Sequence, residues 1–380
     1  MTTDHPHIGL LIGPGTGPTT RAHALLRHLP SQTSVLSIGP PPIGMTPAIE
    51  PLALGPPPGS QDQAFEPGHP ILDADSLGRL ARWAVDEAPD LVLVDASPGV
   101  AAAAAAATGV PVVAVREHAR DGVAPIAGPH GPAAWIAPYP AELEPAGTAP
   151  GVNRRTIHVG FLSRYEGRRL ATSAARRRLG IDRLDRHVTV ILDGSEPALD
   201  PADLEAAAAA ATTWSFSVVG SSAGDDRWSS ERLRTEPDAD AGLTHLVAAD
   251  VVVASAELGA IADAASVGRS LAIVPGPRPD PGMGQLSVAL EEVKAALVCD
   301  TWPQPRAWPA MLAELLDHDP RPLTRLADGR AARRAASWLT SWAVNPPAAL
   351  GDQVLDAGVT TPSGAGMSVP ELPEVDIVGP

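Results

Sequence analysis

The chain is poor in most of what would mark a specialised class. It has one cysteine in 380 residues, Cys299, which excludes an internal disulfide and any cysteine-built metal site. Lysine also occurs once, at Lys294, and all other basic residues are arginine. With 35 glycines, 42 prolines and long alanine runs, this bias points to a high-GC bacterial genome. Positive charge is scarce overall: 28 Lys and Arg against 44 Asp and Glu give a net charge of −16. The resulting pI near 5.0 argues against an obligate nucleic-acid partner, while leaving room for peripheral membrane contact through a local basic patch. The longest apolar stretch, around Val100 to Ala107, is too short and alanine-rich to span a bilayer. No basic segment leads an apolar run near the N-terminus, so a cytoplasmic protein is expected, as a monomer or homodimer.

Apolar residues, by contrast, make up 44% of the chain, ample for two cores, and the length favours two domains. The clearest pattern runs from Leu243 to Val298. Asp250 to Ser255 is a β-branched run suited to a parallel strand covered on both faces. Leu258 to Val267 has helical periodicity, Gly268 closes it, and Leu271 to Val274 returns to strand. In such βαβ units ligands lie outside the carboxyl ends of the strands. The turn Ser255–Gly259 and the polar loop Pro275–Gly284 are therefore candidate ligand positions.

The N-terminal half repeats the logic. A strand at His7–Ile12 runs through a Gly-rich turn, Gly13 to Thr20, into a helix at Arg21–Leu29. Such a turn lets the backbone approach an anion at the helix N-terminus, and serves equally as a tight turn with no ligand. Further strands are expected at Ser34–Ile38, Pro89–Asp95 and Val110–Val115, and a long loop over Gly39–Gly68. Asp95 closes its strand at the carboxyl end, as a catalytic carboxylate or a helix cap, with Ser97 competing for the cap. Arg116, Glu117 and His118 follow the next strand, and His118 is a candidate general base. His23, in the first helix, is another, its bland alternative being a solvated helix surface. A proline-rich linker is expected near Ala146–Arg155, dividing the chain into domains 1–150 and 151–325. An acidic, flexible loop is expected over Ser221–Asp240, with surface charge at Asp225-Asp226. The run Arg176-Arg177-Arg178 reads as a solvated helix face. A last helix over 326–344 crosses back to the first domain, and a disordered tail follows at 345–380.

The order from Asp250 through Asp263 and Gly268 to Gln285 resembles the nucleotide-sugar domain of the GT-B glycosyltransferases. The resemblance is strongest to the family of the bacterial peptidoglycan N-acetylglucosaminyltransferase. It implies an α/β fold of two facing Rossmann-like domains with parallel sheets and an interdomain cleft. It implies further that Asp263 meets the donor ribose, and that Asp280 and Gln285 face the donor sugar. Arg164, spaced from Gly160 as in the family, would contact the diphosphate, with Gly194, Ser195 and the Gly259 turn close by. Gly15, Gly17, Thr20 and Arg21 match the acceptor loop, but Pro18 stands where the family has a histidine, and Glu257 stands in the donor turn. Asp193 and Pro197 replace family glycines.

The activity so implied is metal-independent transfer of a sugar from a nucleotide-diphosphate sugar, most simply a UDP-sugar, to an unidentified acceptor. The nucleotide sugar is substrate, and neither a cofactor nor a metal site is expected. A non-catalytic homologue that binds a ligand or partner is the alternative that the departures raise, and a sugar-nucleotide epimerase is a weaker third.

Overall fold

A computed structural model describes residues 5–42, 44–55, 71–116, 131–145, 147–148, 150–192, 201–220, 233–236, 241–274 and 281–345. Its first unit holds β1 (Ile8–Ile12), α1 (Thr16–Leu26), β2 (Thr33–Ser37), a small hairpin of β3 (Leu54–Gly55) and β4 (Ile71–Leu72), α2 (Ala74–Glu87), β5 (Leu91–Asp95), α3 (Pro98–Thr108), β6 (Val112–Val115), β7 (Ala134–Ala137), α4 (Pro150–Asn153) and β8 (Thr156–His158). The second holds α5 (Thr172–Leu179), β9 (Arg186–Ile191), α6 (Pro201–Ala210), β10 (Trp214–Val219), β11 (Leu233–Glu236), α7 (Gly242–Ala248), β12 (Val251–Ala254), α8 (Leu258–Val267), β13 (Ser270–Ile273), α9 (Pro281–Glu292), β14 (Leu297–Val298), α10 (Trp308–Asp317) and α11 (Arg321–Leu326). The closing helix is α12 (Ala331–Val344).

The strands form because their residues are apolar without alternation. Every residue of β1, β5 and β12 is buried, as parallel strands sandwiched between helix layers require. Local signals set the helix ends. The Asp73 carboxylate accepts from Ser76 N at 2.7 Å to open α2, and the Ser97 hydroxyl accepts from Val100 N to open α3 behind Pro98. Gly109 (φ 68°) and Gly268 (φ 64°) close α3 and α8 in the left-handed conformation.

Each unit carries a six-stranded sheet, ordered β2-β1-β5-β6-β7-β8 in the first and β11-β10-β9-β12-β13-β14 in the second. All pairings within both are parallel. The order reverses between β1 and β5 in one sheet and between β9 and β12 in the other. Ala331, Ala332, Ala335, Leu339 and Trp342 of α12 are buried in the same cluster as Ile8 and Leu10, so the last helix packs into the first core.

Several expectations change. The domain boundary lies after His158, not at 150, because Thr156–His158 pairs in parallel with Trp135–Ala137 and so belongs to the first sheet. β11 falls inside the expected flexible loop and pairs with β10 as an edge strand. Its sequence, LRTE, carries no apolar periodicity that would have announced it. Arg176 is buried, not solvated. Its guanidinium bonds Asp250 at 2.7 Å and the carbonyls of Ala248, Asp182, Arg183 and Asp185. The final helix begins at Ala331, five residues later than expected at 326, since α11 and a turn occupy the intervening chain. The tail at 346–380 and Asp225-Asp226 lie outside the described residues.

Candidate active site

Both reversal points are built to admit an anion. In the first sheet Gly13 N donates to Asp95 O at 2.8 Å across the gap between β1 and β5. A Cβ at Gly13 would stand 2.9 Å from that carbonyl, so only glycine fits. Gly15 then takes φ 112°, which L side chains rarely adopt, and opens α1 with no side-chain cap and no acidic residue in the first turn. In the second sheet α8 starts at the carboxyl end of β12, again with no side-chain cap bond and no acid in its first turn. The first amides of both helices thus have no side-chain cap, although the Glu257 carboxylate stands at the start of α8 and Pro18 contributes no N–H to α1. The first turns of the two helices pack together: a Cβ on Gly259 would lie 4.0 Å from both Gly17 Cα and Thr20 Oγ1. Between β12 and α8, the Ser255 hydroxyl is buried with no hydrogen-bond partner among the described residues. A buried hydroxyl in that state costs about 1–3 kcal/mol, which a bound acceptor atom would relieve.

The segment joining the units, residues 159–166, is tied on three sides. Arg164 Nε donates to Asp263 Oδ2 at 2.7 Å and Ser163 Oγ donates to Asp263 Oδ1 at 2.7 Å, fixing it to α8. The Arg164 carbonyl accepts from Nη1 of Arg27, the C-cap of α1, at 2.7 Å. The Glu166 carboxylate accepts from the amides of Ala332 and Arg333, capping α12. Arg164 and Asp263, with Tyr165, Ile191, Val219, Gly220, Gly242 and Leu246, line a narrow crevice at the carboxyl ends of β9 and β10 with room for about one water molecule. Tyr165 closes tightly here, its hydroxyl 2.8 Å from where a Cβ on Gly242 would stand.

The expected site residues fare unequally. Gly17 and Thr20 meet Gly259 where the two helix ends pack, Gly15 opens α1 beside them, and Arg164 comes together with Asp263 at the crevice. Asp263 is nevertheless only 1% exposed, and both its oxygens are engaged internally, so it positions Arg164 and Ser163 in place of reaching a ribose. Arg21 is 2% exposed and turned inward, not available on an acceptor loop. Its Nε and Nη2 grip both Asp95 oxygens at 2.8 Å. The same pair removes Asp95 as a free base, and Ser97 takes the cap. His23 is half-buried on α1, and Gln285 is exposed near the start of α9. His118, Gly194, Ser195 and Asp280 lie outside the described residues.

A second polar group went unread in the sequence. Beyond the carboxyl ends of β6, β7 and β8, Glu144 accepts from Arg116 Nη2, from Thr148 Oγ1 and from Tyr139 OH, the last at 2.9 Å. Its Oε2 also stands 3.6 Å from His158 Nε2. Burial pushes the Glu144 carboxyl up, but the Arg116, Thr148 and Tyr139 bonds outweigh it and hold the net value below the usual range. Burial lowers His158, with Glu144 opposing in part. The only forewarning was the arginine at a strand end; the partners come from segments 28 and 32 residues away.

With this geometry in hand, solved structures give a consistent comparison. Arabidopsis thaliana UGT89C1 complexed with quercetin aligns with a TM-score of 0.58 at 15% identity, covering 90% of this chain and 100% of that one. Acinetobacter baumannii MurG aligns at 0.56 and 15% identity, covering 88% and 100%. The spinosyn rhamnosyltransferase SpnG complexed with thymidine diphosphate aligns at 0.54 and 18% identity, covering 88% and 99%. The fold is GT-B. At these identities the GT-B likeness speaks for architecture alone. No protein-family model and no curated protein sequence matches the chain. Among the described residues no helix is long and apolar enough to cross a membrane.

Proposed function

We propose that the protein transfers a sugar from a nucleotide-diphosphate sugar, most simply a UDP-sugar, to a hydroxyl-bearing acceptor held by the first unit, without a metal ion. The reading rests on one observation. Two helix N-termini that no side chain caps pack together at the unit boundary, beside the Ser255 hydroxyl, which has no partner among the described residues, at the reversal point of the second sheet. That is where a departing diphosphate, the largest charge the reaction develops, finds fixed donors. Arg164, held by Asp263 against the crevice wall, adds a cation whose planar fork suits phosphate oxygens.

The alternative, a GT-B protein that binds without catalysis, draws on two features. Pro18 has no acid–base chemistry where the resembled family has histidine, and Asp95 is committed to Arg21. Calorimetry with UDP and with thymidine diphosphate tests the transferase reading. Saturable binding is expected, weakened about tenfold or more in Arg164→Ala, in line with the loss of a charge-assisted hydrogen bond. Ser255→Ala, which loses no hydrogen bond to the described residues, provides a variant that should fold normally and still bind more weakly. Absence of saturable binding to the wild-type chain removes the transferase reading.

A further inference from the structure

Positive charge is unevenly placed along the chain. Ten of the 28 basic residues fall between Arg154 and Arg186, against three acids, although the net charge is −16. The fold brings part of that run together with two later segments. The Glu166 carboxylate accepts from the amides of Ala332 and Arg333, which sets the turn carrying Arg168 and Arg169 next to the start of α12. Arg269 Nη2 donates to Thr172 Oγ1 at 2.8 Å, in the first turn of α5. A Cβ on Gly268 would stand 3.5 Å from Thr324 Oγ1, so Arg269 and Arg325 border the same ground. Arg168, Arg169, Arg325, Arg330 and Arg333 are exposed and Arg269 is half-buried. The neighbouring carboxylates are engaged, Glu166 by the α12 amides and Asp328 by the Arg334 guanidinium at 2.5 Å. α5 also opens here with no side-chain cap bond and no acid in its first turn, which adds positive potential. Burial lowers the Arg269 guanidinium below its ordinary value, Asp250 opposes this, and Arg176 adds to it.

The chain carries its own complement to this face. Residues 346–380 hold five acids, Asp352, Asp356, Glu371, Glu374 and Asp376, and no basic residue. They follow α12, whose first turn lies on the arginine face, and the 14 residues of that helix measure about 21 Å. Glu371 lies 26 residues past Asn345. A flexible chain of that length has a root-mean-square span of about 28 Å, so the last three acids come within reach of the face. Tethering alone supplies an effective concentration in the millimolar range. We propose that the acidic segment Glu371–Asp376 docks on the face formed by Arg168, Arg169, Arg269, Arg325, Arg330 and Arg333. Because α12 packs into the first core while α5 and α11 belong to the second unit, the docked segment bridges the two units. The net charge of −16 disfavours a nucleic acid on this face. A lipid surface is disfavoured too, since no large apolar residue is exposed among the described residues of these segments. None of the six arginines takes part in the proposed transfer, so docking and transfer stand or fall separately.

The test uses the full chain carrying Cys299→Ala and Ser368→Cys, with a fluorophore on the single thiol and time-resolved anisotropy as the readout. The label should be held at about 50 mM NaCl and released at about 500 mM, because the Debye length falls from about 14 Å to about 4 Å. Arg169→Glu with Arg333→Glu should release it at the lower salt. Both side chains are exposed, so the melting temperature should stay at its starting value. Adding Glu371→Arg and Glu374→Arg to that chain should restore the hold by exchanging the charges. A label equally free at both salt concentrations overturns the proposal, as does one held equally after the arginine reversal, or a charge exchange that restores nothing. A hold that appears only as protein concentration rises also overturns docking within one chain and assigns the face to the tail of a second copy. A free label, together with sedimentation on phosphatidylglycerol vesicles that the arginine reversal abolishes, overturns it in favour of a lipid surface.

Discussion

Mild acid should destabilise the second unit through two buried histidines. His187 is fully buried on β9, its Nδ1 within 2.7 Å of Ser215 Oγ, and His245 on α7 is 5% exposed with Nδ1 at 2.8 Å from Ser217 Oγ. Burial first, and then the Arg234 guanidinium, bring His187 down to about 3 and His245 down to about 4. Both are therefore neutral in the native state, while the unfolded chain takes up protons near pH 6.5. The unfolded state binds more protons, so their contribution is complete above pH 6.5 and is lost as pH falls from there toward the native values. Between pH 7.5 and 5.5 linkage gives about 1.4 kcal/mol for each histidine and about 3 kcal/mol for both. This precedes the acid titration of unfolded carboxylates, which lies near pH 4. Urea denaturation followed by tryptophan fluorescence at half-unit pH steps reads it directly, and His245→Asn should remove about half of the slope. A stability that is flat or rising from pH 7.5 to 5.5 refutes the reasoning.

Other consequences are equally concrete. Arg21→Met strands the buried Asp95 carboxylate and should cost about 3–5 kcal/mol in urea denaturation, with Asp95→Asn in the same chain restoring part of it. Asp263→Asn should lower stability by about 3 kcal/mol as well, because Arg164 loses its buried partner; an effect on nucleotide affinity with no effect on stability would return Asp263 to a ligand-facing role. Glu166→Ala removes the acceptor for the Ala332 and Arg333 amides. It should cost about 1 kcal/mol and speed amide exchange in the first turn of α12, measured by hydrogen–deuterium exchange.

The sequence revealed what depends on near neighbours and missed what depends on distant ones. Strands β1, β5 and β12 were legible as largely apolar runs, and Gly268 and Ser97 as helix punctuation, because those signals lie within a few residues. The domain boundary was misplaced because proline density between 146 and 155 looks like a linker, while the pairing of Thr156–His158 with β7 is settled only in the sheet. Arg21 and Asp95 read as separate acceptor and base candidates; 74 residues apart in sequence, they consume each other in the fold. Asp263 kept its expected place beside Arg164, yet burial changed its role. The Glu144 cluster was invisible for the same reason, since four segments supply it.

The central claim is that the reversal point of the second sheet, opposite the start of α1, receives a nucleotide diphosphate. A crystal structure of the chain soaked with UDP is the most direct measurement. The account requires the diphosphate within hydrogen-bond reach of the Ser255 hydroxyl and the first amides of α8, with Arg164 alongside. Density for UDP at the amino ends of the strands, or on a surface remote from α8, contradicts it.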